Sequence, residues 1–105
     1  MTTTNSAHAG AVSDAQWTLW EGIREMRRSN TRTAVREAIL ALEQFASSLY
    51  VLAANGQTDT NYSVAYGWRQ DALTDLYNAT LVNRDSALQQ MLLDAYVLVA
   101  GIDIE

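Results

Sequence analysis

The chain has 105 residues and a net charge of −5, with hydrophobic residues at 49% and charged residues at 18%. That length supports one domain with a modest core, and so apolar a composition excludes disorder of the whole chain. The absence of cysteine excludes disulfides, thiolate metal sites and cysteine nucleophiles, and the absence of proline removes the commonest helix breaker.

Residues 1–11 are mostly Thr, Ala, Asn, Ser and Gly without an apolar period, and they read as a flexible N-terminal tail before a single helical domain over 12–105. The start lacks the basic and apolar regions of a signal peptide. The longest charge-free apolar run, Ala95 to Ile102, is far short of the ~20 residues of a bilayer span. The expectation is a cytoplasmic protein without membrane contact.

Ser13-Asp14-Ala15-Gln16 has the form of a capping box. Leu19, Ile23 and Met26 follow at helical spacing, with Trp17 and Trp20 beside them, and the first helix is expected to stop near Ser29-Asn30-Thr31. A second helix is predicted over Arg32 to Asn55, where Val35, Ile39, Leu42, Phe45, Leu49 and Leu52 step by three and four. Asn55-Gly56 supplies its stop.

After a polar connection from Gln57 to Asn61, a third helix is expected over roughly Ser63 to Leu81. Its inner side carries Ala65, Trp68, Ala72, Leu73, Leu76 and Tyr77. Val82-Asn83-Arg84 is a tight turn. The fourth helix opens at the box Ser86-Ala87-Leu88-Gln89, with Asn83 or Asp85 as alternative caps. It buries Leu88, Met91, Leu92, Ala95, Val99 and Ile102 and ends near Gly101. The β-branched content of Tyr96 to Val99 and the alternation of Ile102 to Glu105 leave a short C-terminal strand or extended segment as the alternative. The fold predicted is all-α: an up-and-down four-helix bundle made of two helical hairpins.

Shifted by 46 positions, residues 41–55 match 87–101 at seven places, among them Tyr50-Val51-Leu52 against Tyr96-Val97-Leu98. Duplication of a helical hairpin would produce this, and so would two helices of similar composition. Helices one and three show no comparable match. Either way, Tyr50, Val51, Tyr96 and Val97 extend the apolar surface beyond one stripe, which marks them as a candidate oligomer interface.

Chemistry-bearing clusters are sparse. His8 is the only histidine, and no metal or cofactor is expected. Asp59-Thr60-Asn61-Tyr62-Ser63 imitates the opening of a calcium loop, but Val64 and Gln70 occupy the positions of its glycine and bidentate glutamate. Asp71 with Asp75, and Glu21 with Glu25, are carboxylates four apart that a solvated face explains, with Glu21 reaching Arg24 and Glu25 reaching Arg28. The five scattered glycines form no phosphate loop. Trp20-Glu21-Gly22 resembles the W-x-G signature of small secreted helical-hairpin proteins. Here it lies within the first helix, and Ala100 stands where their tail signal would place an acid after Tyr96, so packing accounts for it.

All seven basic residues are arginine, and Arg24, Arg27, Arg28, Arg32 and Arg36 share a segment with one acid, Glu25. The segment therefore carries +4 and the remainder −9. The leading expectation is a non-enzymatic structural subunit or adaptor that self-associates or docks in a larger assembly, a profile that fits components of virion-like particles. Its partner-binding residues would be those five arginines with Trp17 and Trp20. The competing expectation uses the same residues to bind nucleic acid, with arginines on phosphates and indoles stacking on bases. A helix break at Ser29-Asn30 and the acidic balance oppose it. A small-ligand site or a carboxylate enzyme in the bundle core is the remaining alternative.

Overall fold

Four helices succeed one another along the chain: α1 (Thr2–Glu25), α2 (Arg32–Asn55), α3 (Asp59–Val82) and α4 (Ser86–Ala100). The structure, a computed structural model, describes residues 2–25, 32–56 and 58–104, without the side chains of residues 2–4, 25 and 32. Each helix packs on two neighbours, in the cycle α1–α2, α2–α3, α3–α4 and α4–α1, with no contact across either diagonal among the described residues. With only three residues between α2 and α3 and three between α3 and α4 the helices run up and down, and the Cα envelope measures 42 × 19 × 18 Å. A 24-residue helix of about 36 Å fits the long axis.

The apolar stripe of α2 forms the centre. Val35, Ile39, Leu42, Phe45, Leu49 and Leu52 are all buried, as their spacing predicts. Thr33–Asn55 is long and apolar enough to pass as a membrane span, at a mean hydropathy of 1.2, but half of it is buried within the bundle and it carries Arg36, Glu37 and Glu43. Those are the properties of a core helix.

The expected flexible tail is instead the first part of α1. Asn5, Ala9 and Val12 are buried and continue the stripe of Leu19 and Ile23. Small residues carry that register, and Ala7, Ala9, Ala11 and Ala15 favour the helix by intrinsic propensity, so the capping box at Ser13 lies mid-helix. The stop expected near Ser29 to Thr31, and Met26, lie outside the described residues; α1 is described to Glu25.

α3 starts at Asp59, four residues earlier than predicted, because Thr58 caps it: Thr58 Oγ1 accepts from Asn61 N at 3.1 Å. Gly56 closes α2 at φ +85°, a backbone region that glycine enters freely. Of the predicted inner residues Ala65, Ala72 and Leu76 are buried, while Trp68 and Leu73 are half-buried. Tyr77 is exposed, because one step beyond Leu76 turns it about 100° away from the core. Ala79, unremarked in the sequence, is buried in its place.

Asp85 caps α4, its Oδ1 accepting from Leu88 N at 3.0 Å, so the box at Ser86 does not form. Gln89, freed from that box, donates to Asn83 O at 2.9 Å and Thr80 O at 3.2 Å and so ties α4 to the last turn of α3. Leu88, Leu92, Ala95 and Val99 face the core and Met91 is half-buried. Beyond Gly101, residues 102–104 are neither helix nor strand: Ile102 and Ile104 point inward and Asp103 outward.

The two segments that match at an offset of 46 occupy diagonal corners. Leu42 and Leu88, Ala46 and Leu92, and Leu49 and Ala95 are buried as pairs, whereas Gln44 and Gln90, Val51 and Val97, and Ala54 and Ala100 are exposed as pairs. The correspondence is partial: Ala41 is buried and Ala87 exposed, and Leu52 is buried where Leu98 is half-buried.

Candidate functional site

A square bundle presents four faces, and side-chain chemistry differs on each. On the α1–α2 face, a hydrogen bond from Gln16 Nε2 to Glu43 Oε2 (3.1 Å) sets the level of the antiparallel pair. Counting outward from it places Trp20 level with Ile39 and Leu40, and Arg24 level with Val35 and Arg36. Trp17 (59% exposed) and Leu40 (54%) stand out from this face, Trp20 is half-buried, and Arg24 and Arg36 are exposed. Neither arginine forms an ion pair or side-chain hydrogen bond among the described residues, so the Glu21–Arg24 pair expected from sequence is absent. Arg32 opens α2, and Arg27 and Arg28 lie outside the described residues, as does the pairing of Glu25 with Arg28. Trp17, Trp20, Arg24 and Arg36 thus share one face, with the arginines on two facing helices instead of one continuous stripe.

The α3–α4 face is apolar and almost uncharged. At its upper end Tyr62 and Tyr66 stack with ring centroids 6.3 Å apart. Arg69 Nη2 donates to Ala100 O at 2.9 Å, which satisfies a carbonyl of the last turn of α4. These residues and 100–104 line a cleft of about 300 Å³. Below it, the flank of α3 that carries Tyr66 continues through Leu73, Tyr77 and Leu81 at helical spacing, opposite Leu93 and Val97 of α4. Among the described residues Leu81 (65%) and Val97 (69%) are the most exposed large apolar ones, and Tyr66, Tyr77 and Leu93 are exposed with them.

Between α4 and α1 runs a groove of about 310 Å³. Ala11, Ala15 and Thr18 line it from α1 and Met91, Ala95 and Leu98 from α4, with Asp14 and Asp94 also in its lining. It exists because the α4-facing edge of α1 carries only small side chains. Gly22 continues that edge: a Cβ there would lie 2.9 Å from Leu88 Cδ1, so the glycine of the W-x-G sequence is a point of close helix approach. Both aspartates are exposed and have no cationic partner among the described residues.

The α2–α3 face is acidic. Burial raises the pKa of Asp75 above the ordinary carboxylate value, and the negative charges of Glu37 and Asp71 add to the effect. Asp71 is exposed, so the two aspartates do not form a shared buried pair.

Of the predicted interface residues, Tyr50 and Val51 lie exposed on α2, while Tyr96 (half-buried) and Val97 lie on α4, across the diagonal. Only Val97 belongs to the α3–α4 face in full view, and the four do not form one patch. No family model, curated protein or solved structure matches this chain.

Among the described residues no three His, Asp or Glu side chains gather as metal ligands. His8 is half-buried on α1. Asp59, Thr60 and Asn61 form the first turn of α3, and Asn61 spends its Nδ2 on Gly56 O at 3.2 Å. Leu40, Tyr66, Leu81 and Leu93 are exposed apolar residues that residue type alone did not mark. Removing each helix's inward stripe from its apolar residues would have exposed them.

Proposed function

We propose that this chain is a non-enzymatic, self-associating helical subunit, an adaptor or building block of a larger assembly. The observation that supports it is the α3–α4 face. Tyr66, Tyr77, Leu81, Leu93 and Val97 are exposed there on a chain of net charge −5. Two copies of an acidic protein repel at their charged faces and approach most readily through a neutral one. Exposed apolar patches of this kind mark interaction surfaces, and a two-fold contact would let the same patch serve both copies. The proposal places the subunit in the cytoplasm, in keeping with charged side chains along α2.

Light scattering tests it. The native mass should exceed 11.6 kDa and fall on dilution, and Leu93→Glu with Val97→Glu should lower it at a given concentration without loss of helicity. A wild-type protein that is monomeric at every concentration would overturn the proposal.

The gathering of Trp17, Trp20, Arg24 and Arg36 on one face also supports a second reading, binding of single-stranded nucleic acid. Affinity for a short oligonucleotide should then fall with salt at a slope of about −0.7 per phosphate contacted. A salt-independent or absent affinity would dismiss it.

A further inference from the structure

Resting on the self-association proposed above, but on different surfaces, we infer that the Trp17–Arg24–Arg36 face of one copy seats in the α4–α1 groove of the next. The two surfaces complement each other in three respects. The donor face carries an exposed indole with two arginines about two turns further along it, residue types that anchor protein contacts most often. The receiving groove is apolar between its helices, and its volume of about 310 Å³ accommodates an aromatic ring, given that cavities of about 150 Å³ take benzene. Asp14 and Asp94 on the groove have no cationic partner in their own chain among the described residues, and Arg24 and Arg36 have no acidic one. A basic face on a chain whose other segments sum to a large negative charge finds its complement on another copy.

Position along the bundle agrees. The groove spans Ala11 to Thr18 of α1 with Asp14 and Asp94 near its middle, and Arg24 lies about 10 Å beyond Trp17 on α1, so a shift of about 10 Å along the long axis sets the indole at the Ala11 end and both arginines within side-chain reach of the aspartates. Donor and receiving surfaces flank α1 on adjacent sides of a four-cornered bundle, roughly at right angles. A head-to-tail contact that combines such a turn with that rise does not close and propagates as an open helical array. The Arg24 and Arg36 guanidiniums would reach the Asp14 and Asp94 carboxylates at the rim, where geometry and register matter more than net affinity.

Sedimentation equilibrium on the full chain separates this contact from the α3–α4 one. In a protein carrying Leu93→Glu and Val97→Glu, the mass should remain that of several chains and climb with concentration, as an open array does. Adding Trp17→Ala should return it to 11.6 kDa. Two further variants of the same background test the charges: one with Arg24→Glu and Arg36→Glu, the other with Asp14→Arg and Asp94→Arg. Each should be monomeric alone, and the two should co-assemble when mixed, since each then offers the other a complementary face. A Leu93→Glu/Val97→Glu protein that is monomeric while the wild type associates would overturn the face-to-groove contact and leave the proposed function standing. So would oligomers indifferent to Trp17→Ala, or charge variants that fail to combine. A monomeric wild type would overturn both.

Discussion

Replacing Gly22 probes the tightest point of the bundle. A Cβ added there would lie 2.9 Å from Leu88 Cδ1 and 3.5 Å from Met91 Sδ. Carbon atoms rest about 3.5–4.0 Å apart, so the Leu88 methyl must retreat by roughly 0.6 Å or more. That methyl is the free end of a side chain, and rotation can supply much of the distance. Alanine also favours a helix over glycine by about 1 kcal/mol. The two effects oppose each other, and Gly22→Ala should stay within about 0.5 kcal/mol of the wild type. Gly22→Val adds two more methyl groups in the same gap and should destabilise by about 2 kcal/mol through overpacking, a fall of roughly 8 °C in Tm for a domain of this size. Gly67 is the control: it lies mid-α3 with nothing within 4 Å of an added Cβ, so Gly67→Ala should stabilise by up to about 1 kcal/mol. Urea denaturation followed by circular dichroism reads all of these. If Gly22→Val proved as stable as Gly67→Val, the close α1–α4 approach would be refuted.

Three further outcomes rest on the caps, the core and the acidic face. Asp85→Ala removes the acceptor for Leu88 N and should cost about 1 kcal/mol in urea melts, with Asp85→Asn retaining most of it. Phe45→Ala empties the centre of the core and should cost about 3–5 kcal/mol, enough to leave a marginally stable domain partly unfolded at 25 °C by near-UV circular dichroism. Asp75, with its pKa raised by burial and then by Glu37 and Asp71, holds its proton more tightly folded than unfolded. Its favourable contribution is therefore complete below the unfolded value of 3.8 and is lost as pH rises through the folded one. Asp75→Asn should accordingly be more stable than the wild type at neutral pH, and denaturation across pH should show that gain vanish below the ordinary carboxylate range.

Helix number and the inward residues of α2 and α4 were legible because large apolar side chains there repeat at the α period. The start of α1 was not, since Asn5 and Ala9 carry its register and small residues leave no hydrophobic signal. The α3 boundary slipped because Thr58, a cap, was read as part of a polar loop. Surfaces were only half legible. Trp17, Trp20 and the arginines stood out by type, but composition could not tell that Arg24 and Arg36 would share a face from two helices. The Tyr-Val repeat pointed to exposed apolar residues, yet the diagonal placement of α2 and α4 separates Tyr50 and Val51 from Val97. Neither the neutral α3–α4 face nor the α4–α1 groove is contiguous in sequence, and pairing of antiparallel helices creates both.

Weight-average mass measured by sedimentation equilibrium across a wide concentration series bears most directly on the role assigned to this chain. An acidic bundle built to associate will climb above 11.6 kDa as concentration rises. A value fixed at that of one chain throughout, with Trp17 and Val97 still open to solvent, would contradict the account.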